Sequence, residues 1–153
     1  MALAIGEQVA DVTATTHDGR TVSLTELAAD GPVVVFFYPK AFTGGCTAEA
    51  CHFRDLGAEF AEVGATRVGV SRDDVATQAR FAAEHDFDYP LLADPEGTVS
   101  KAFGAKRPGP LMSKRQTFVV DTDLTLLGRI SSELDMEKHA DEALALLRDR
   151  AAR

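Results

Sequence analysis

The segment VVVFFYPKAFTGGC, Val33–Cys46, contains the features from which the fold is predicted. Its first six residues are β-branched or aromatic without a polar interruption, which is typical of a strand covered on both faces of a sheet. Pro39 ends this run, and the glycines at 44 and 45 precede an apolar pattern with helical spacing. We therefore predict a central strand, a loop beyond its carboxyl end, and a helix that begins close to Cys46.

Strands and helices alternate along the rest of the chain. We predict an N-terminal β-hairpin over residues 11–24, further strands over 66–71 and 89–93, and a C-terminal hairpin followed by a last helix. An apolar stripe predicts one continuous helix from near Cys46 to Val63. These elements predict a single α/β domain over residues 1–153, with a mixed central β-sheet flanked by helices. Because open α/β sheets bind ligands beyond the carboxyl ends of their strands, the loop after Tyr38 is the candidate site.

Composition and charge narrow the classes of function. The 153 residues are 45% hydrophobic, and 24 acidic against 16 basic residues leave a formal net charge of −8. This charge repels phosphate backbones and anionic lipids, so neither nucleic acid nor a membrane is an expected partner. No apolar run approaches the roughly 20 residues of a membrane-spanning helix, and the start lacks a signal-peptide pattern. The sequence therefore indicates a cytoplasmic protein.

The two cysteines, Cys46 and Cys51, are available for chemistry, since a chain of this length needs no disulfide to fold. Five residues of helix separate two Cα atoms by roughly 8–9 Å, whereas a disulfide needs less than about 7 Å. The sulfurs can therefore bond only if at least the first turn and a half of the helix unwinds. Cys46 lies in the first turn, where unpaired N–H groups favour a thiolate, and Gly44 and Gly45 let the backbone approach a bound anion. Cys46 is the candidate nucleophile.

These residues resemble the active site of peroxiredoxins. Pro39, Thr43 and Cys46 match the family pattern Pro-x-x-x-Thr-x-x-Cys, and the position of Cys51 is similar to that of the second cysteine in the peroxiredoxin Q (bacterioferritin comigratory protein) subfamily. In the segment KRQTFVVD, Arg115 stands where the family has its catalytic arginine. The resemblance implies a thioredoxin-like fold and thiol-dependent reduction of hydrogen peroxide and organic hydroperoxides, with no cofactor.

The resemblance also implies a role for each matching residue. It implies a peroxidatic Cys46, a resolving Cys51, a Thr43 hydroxyl that holds the peroxide oxygens, a Pro39 that excludes water, and an Arg115 cation beside thiolate and substrate. The disulfide formed would be reduced by thioredoxin or a related dithiol. Since no cysteine follows Cys51, turnover needs no disulfide between subunits, which favours a monomer, with a weak dimer as the alternative.

Two positions near Cys46 qualify the resemblance. Glu49 matches a family glutamate, but its charge one turn from Cys46 would by itself oppose a thiolate, so we expect it to orient Arg115 or Arg54. Gly44 is a departure, because relatives usually have proline there, and it removes no catalytic group.

Other functions remain open at this point. A thioredoxin-like metal-binding module could hold copper through Cys46, Cys51 and a histidine such as His52 or His85, although no second ligand cluster is evident. A general dithiol oxidoreductase is a further alternative, but such proteins place two residues between their cysteines. We assign no histidine a catalytic role, and we predict that His139 is exposed on the surface.

Overall fold

The computed structural model describes residues 3–105 and 114–151, so most of the predicted loop over 104–113 lies outside the described residues. The described elements are β1 (Thr13–Thr16), β2 (Thr21–Ser23), α1 (Leu24–Leu27), β3 (Val33–Phe37), α2 (Gly44–Asp55), α3 (Gly57–Glu62), β4 (Thr66–Ser71), α4 (Val75–His85), β5 (Leu91–Ala93), α5 (Thr98–Phe103), β6 (Gln116–Val120), β7 (Leu126–Ser131) and α6 (Met136–Ala151). None of the helices in these two ranges is long and apolar enough to cross a membrane.

The described strands form one seven-stranded mixed sheet in the order β2-β1-β5-β4-β3-β6-β7. Strand β3 lies inside this sheet, parallel to β4 and antiparallel to β6, and all five of its residues are buried. The N-terminal hairpin pairs β1 with β2 and joins the sheet through β5. The predicted central strand, the mixed sheet flanked by helices and the N-terminal hairpin are therefore confirmed.

The side chains of β3 divide the core between the two faces of the sheet. Val34 and Phe36 belong to the apolar cluster under α2, α3, α4 and α6, whereas Val33, Val35 and Phe37 belong to the cluster under α1 and α5. Because successive side chains of a strand point to opposite faces, a strand with helices on both faces is apolar throughout. This is why the run of apolar residues in β3 shows no alternation.

The prediction of one continuous helix from Cys46 to Val63 is wrong, because α2 and α3 are separate helices. The carbonyl of Phe53 accepts a 2.8 Å hydrogen bond from Nη1 of Arg67, and this guanidinium also pairs with Asp88 at 2.9 Å. The backbone ladder that would continue α2 stops at this carbonyl. A tertiary contact, which local periodicity does not encode, therefore divides the helix.

Strand pairing brings the two halves of the candidate site together. Phe37 pairs with Gln116, so Arg115 lies beside the end of β3, where the loop to α2 begins. Gln116 also pairs with Ser131, which places the start of α6 at the same edge. The carboxyl end of β3 is thus surrounded by α2, the start of β6 and the start of α6.

Candidate active site

The loop between β3 and α2 is held in one conformation by its neighbours. The backbone N–H of Ala41 donates to Oδ2 of Asp73 at 2.8 Å, which ties the loop to the segment after β4. Phe42 adopts a φ of 66°, in the left-handed region that few side chains other than glycine, asparagine and aspartate enter readily. Its ring packs against Phe81, with 5.2 Å between the ring centroids. Packing therefore holds a strained backbone directly before the first turn of α2.

Thr43 occupies the N-cap position of α2, but it does not cap the helix with its side chain. Its φ of −82° and ψ of 155° are extended, and its hydroxyl donates to the carbonyl of Lys40 at 2.8 Å. The lone pairs of the hydroxyl oxygen remain able to accept a hydrogen bond from a ligand. Thr43 is exposed and Pro39 is half-buried, so both lie at the outer side of the site.

Cys46 and Arg115 meet inside the protein. Cys46 has no exposed surface, and Arg115 is only 6% exposed. Nη2 of Arg115 lies 3.2 Å from Sγ of Cys46, and Nη1 donates to Oε1 of Glu49 at 2.7 Å. One guanidinium thus bridges the sulfur and the carboxyl group. Of the two arginines that the sequence left open as partners of Glu49, the structure pairs Arg115 with it.

The two glycines before Cys46 differ in their surroundings. A Cβ at Gly45 would lie 3.3 Å from Nη2 of Arg115 and 3.3 Å from Cε of Met136, so a side chain there would crowd the guanidinium. Apart from the adjoining backbone, a Cβ at Gly44 would have no atom of residues 3–105 and 114–151 within 4 Å. Gly45 therefore permits the close approach of Arg115 to the helix, whereas Gly44 leaves room for a side chain.

Burial determines the electrostatics of the ion pair. Burial raises the pKa of Glu49 to about 8, although Arg115 beside it favours the charged form. Burial opposes the charge of Arg115, but Glu49 and Cys46 more than offset this and raise the pKa of Arg115. The cation is therefore permanent, while the carboxyl group can hold a proton near neutral pH.

Cys51 lies further along α2 and is a free thiol, as is Cys46. Partial burial raises the pKa of Cys51, against the opposing effect of Arg54. Because α2 is continuous between the two cysteines, helix geometry separates their Cα atoms by roughly 8–9 Å. In this conformation Cys51 is protonated and too far away to bond with Cys46.

The prediction that His139 is exposed is wrong, because its side chain is completely buried. Its ring lies between Thr117 and Ser132, with one 2.8 Å contact to each, and Nδ1 is 3.6 Å from Oε2 of Glu49. The spacing of the apolar residues in α6 contained the signal, since position 139 falls on the same helix face as Ala140 and Ala143. The polarity of histidine led to its assignment to the surface.

Glu133 is a second residue that sequence reasoning missed. Its Oε2 accepts a 2.9 Å hydrogen bond from the backbone N–H of Arg115 and so fixes the position of the arginine backbone. No local pattern distinguishes this glutamate from other surface acids. Only the pairing of β6 with β7 brings the two residues together.

The described residues provide no ligand set for a metal at the cysteines. Within ranges 3–105 and 114–151, the three side chains close enough together to share a metal ion are His52, Glu137 and Asp141. Neither cysteine belongs to this group. The copper-binding alternative therefore finds no support in the described geometry around Cys46.

This chain is similar to known proteins in sequence and in fold. Residues 5–128 match the AhpC/TSA family. A relative from Mycobacterium tuberculosis strain H37Rv that carries the name peroxiredoxin is 58% identical over 146 residues, which are 94% of this chain and 95% of the relative. The crystal structure of peroxidoxin BcpB from Mycobacterium tuberculosis has a TM-score of 0.92 at 56% identity, covering 96% of this chain and 97% of that chain. Peroxiredoxin Q of Xanthomonas campestris has a TM-score of 0.84 at 30% identity, covering 92% and 91%.

Proposed function

Because the chain belongs to the AhpC/TSA family and is a peroxiredoxin, a thiol peroxidase, we propose that Cys46 is the sulfur that reduces the peroxide. The observation that carries this assignment is the 3.2 Å contact between Cys46 Sγ and the buried guanidinium of Arg115. A fixed cation that is almost completely buried stabilises negative charge on the sulfur and on the reacting oxygens.

The proposed first step is a displacement at oxygen. The Cys46 thiolate attacks one oxygen of the peroxide, the S–O bond forms and the O–O bond breaks. The electron pair of the O–O bond leaves with the second oxygen, which takes up a proton and departs as water or an alcohol. The sulfur is oxidised to a sulfenic acid, and the peroxide is reduced.

Thr43 and Arg115 are proposed to hold the peroxide during this attack. The Thr43 hydroxyl donates a hydrogen bond to the Lys40 carbonyl. Its oxygen can therefore accept a hydrogen bond from the O–H of the peroxide. Arg115 offers N–H groups to the oxygen on which charge develops. Pro39, half-buried at the start of the loop, is proposed to limit the entry of water.

Cys51 is the proposed resolving residue. The distance in the intact helix forbids a disulfide, so α2 must first unwind at its amino end. Partial burial raises the pKa of Cys51 in the intact helix and so keeps the resolving thiol protonated until it is needed. Condensation of the Cys46 sulfenic acid with the Cys51 thiol forms the disulfide and releases water.

The anchoring of α2 is consistent with unwinding from the amino end. The Phe53 ring stacks on Phe36 with 4.1 Å between centroids, and the Tyr89 hydroxyl donates to the Ala50 carbonyl at 2.7 Å. These contacts hold the second half of the helix. The first turn instead contains the glycines at 44 and 45, which are poor helix formers.

Recycling is proposed to use thioredoxin or a related dithiol, acting on a disulfide within one chain. A disulfide that holds part of α2 unwound stores conformational strain and is therefore readily reduced. All steps can take place within a monomer, since both cysteines belong to the same helix.

Two single substitutions test the proposal. Cys46→Ser is expected to abolish consumption of hydrogen peroxide, because no sulfur remains at the guanidinium. Cys51→Ser is expected to form one sulfenic acid per chain, seen by mass spectrometry after trapping, but to stop turnover with thioredoxin. In the unsubstituted protein, one equivalent of peroxide is expected to remove two hydrogens from the monomer mass. Full turnover by Cys51→Ser would exclude Cys51 from the mechanism.

A further inference from the structure

His139 is a buried titratable side chain for which the peroxidase mechanism has no role. Its Nε2 lies 2.8 Å from the carbonyl of Ser132, which only accepts hydrogen bonds, so Nε2 carries a proton. Burial lowers the pKa of His139, with Ser132 opposing, and the ring is therefore neutral. Nδ1 then has a lone pair, which accepts the hydroxyl proton of Thr117 at 2.8 Å.

The second carboxyl oxygen of Glu49 lies near this unprotonated nitrogen. Oε1 is paired with Arg115, but Oε2 is buried, has no hydrogen-bond partner among the described residues and lies 3.6 Å from Nδ1 of His139. An ionised carboxylate oxygen in this position would lack a donor and would face another acceptor, which is unfavourable in a buried site. A proton on Oε2 removes the negative charge, which is the larger part of this cost.

The protonation of Glu49 matters because Arg115 serves two acceptors. Its guanidinium contacts both the carboxyl group and the sulfur of Cys46. If both were ionised, two buried negative charges would share one cation, and each would make the other less favourable. A neutral Glu49 leaves the positive charge for the sulfur.

Other titratable groups face this cluster as well. Glu133 and Asp135 approach from the segment between β7 and α6 and act on His139, and Glu133 also acts on Glu49. Tyr89, before β5, interacts with Glu49 from the other side and stays protonated because burial raises its pKa well above its usual value. Glu133 and Asp135 are both exposed residues, so the surrounding water screens their charges.

We propose that His139 is a positioning residue which, by placing an unprotonated nitrogen rather than an N–H donor beside Glu49, keeps that acid protonated and reserves the charge of Arg115 for Cys46. The pKa of about 8 for Glu49 agrees with this arrangement. The inference rests on the proposed role of Cys46 as the attacking thiol, which peroxide consumption tests separately.

The main test follows the thiolate of Cys46 by its ultraviolet absorbance as a function of pH, in a Cys51→Ser background where it is the sole cysteine. His139→Asn replaces the lone pair with an amide that can donate to Oε2, so Glu49 should ionise at a lower pH and compete for Arg115. We expect the pH midpoint of thiolate formation to rise by about one unit.

A second background, which lacks the acid at position 49, separates this effect from structural damage. With Glu49→Gln, no carboxyl group can ionise at position 49, so adding His139→Asn should leave the midpoint unchanged. An equal rise in both backgrounds, or no rise in either, would overturn the proposal. Because thiolate formation is measured without peroxide, failure of the peroxidase function would not mimic either result.

Infrared spectroscopy keeps the inference testable even if His139→Asn does not fold. The difference spectrum at neutral pH between the unsubstituted protein and Glu49→Gln should contain a carbonyl band of a protonated carboxylic acid. Ionised carboxylate bands in its place would refute a protonated Glu49 and the proposed role of His139 with it.

Discussion

Replacing Gly44 by proline should restrain the unwinding that disulfide formation requires. Gly44 is the first residue of α2, a position where proline is favoured because the missing N–H has no partner within the helix. Thr43 before it is extended, with a ψ of 155°, as the residue preceding a proline prefers. Outside the adjoining backbone, no atom of the described residues lies within 4 Å of a Cβ at position 44, so there is room on this side for a proline ring.

The size of the effect follows from the conformational freedom that proline removes from the unwound segment. A compatible proline stabilises the ordered state by about 1 kcal/mol, which corresponds to an about fivefold lower population of the unwound helix. Ala48→Gly is the matched opposite, because Ala48 is an exposed residue of the same helix and glycine costs about 1 kcal/mol there. It should raise the unwound population about fivefold.

Two measurements on the same variants test whether α2 must unwind before the disulfide forms. Hydrogen exchange of the α2 amides reports the unwound population, and rapid-quench mass spectrometry after one equivalent of peroxide follows the disulfide separately from the sulfenic acid. Both should fall with Gly44→Pro and rise with Ala48→Gly. If amide exchange changed as expected while the disulfide formed at the unsubstituted rate in both variants, unwinding of α2 would not lie on the route to the disulfide.

Three further predictions concern the charged cluster and the loop. Arg115→Lys should lower kcat/KM for hydrogen peroxide about a hundredfold in steady-state assays, because an ammonium group cannot bridge Cys46 and Glu49 as a guanidinium does. The free energy of unfolding from urea titrations should fall by up to roughly 4 kcal/mol as pH rises from about 4.5 to 8, because folded Glu49 keeps a proton that the unfolded chain releases. In Glu49→Gln this contribution to the pH dependence of the free energy of unfolding should be absent. Phe42→Val should be less stable than Phe42→Asn by about 1–2 kcal/mol in the same titrations, since both lose the ring but only valine is β-branched at a φ of 66°.

The parts of the fold that local pattern encodes were predictable. The apolar run from Val33 and the proline that follows it identify a buried strand, and the structure confirms this strand, which ends at Phe37, one residue before the end of the run. The capping box of Ser23 and Glu26, which opens α1, is a local pattern of the same kind. In each case the determining residues are neighbours in the chain, so the physical cause is visible in the sequence.

The division between α2 and α3 was not predictable, because the residues that determine it are not neighbours in the chain. The apolar spacing through Phe53 and Phe60 continues across the break, and both side chains are buried as a single helix would require. The break arises because Arg67, from β4, takes the Phe53 carbonyl. Such a contact depends on which distant segments the sheet brings together.

The same distinction applies to the candidate site. By itself the sequence determined that two thiols lie five residues apart at a helix beginning, beyond the end of a buried strand, because spacing and position in a helix are local properties. Only the tertiary structure decided that Arg115 bridges Cys46 and Glu49, and that His139 is buried behind them. These groups interact because the pairing of β3 with β6 and the packing of α6 bring them together and exclude water. Neither effect can be read from the sequence, in which Glu49 and Arg115 are 66 positions apart.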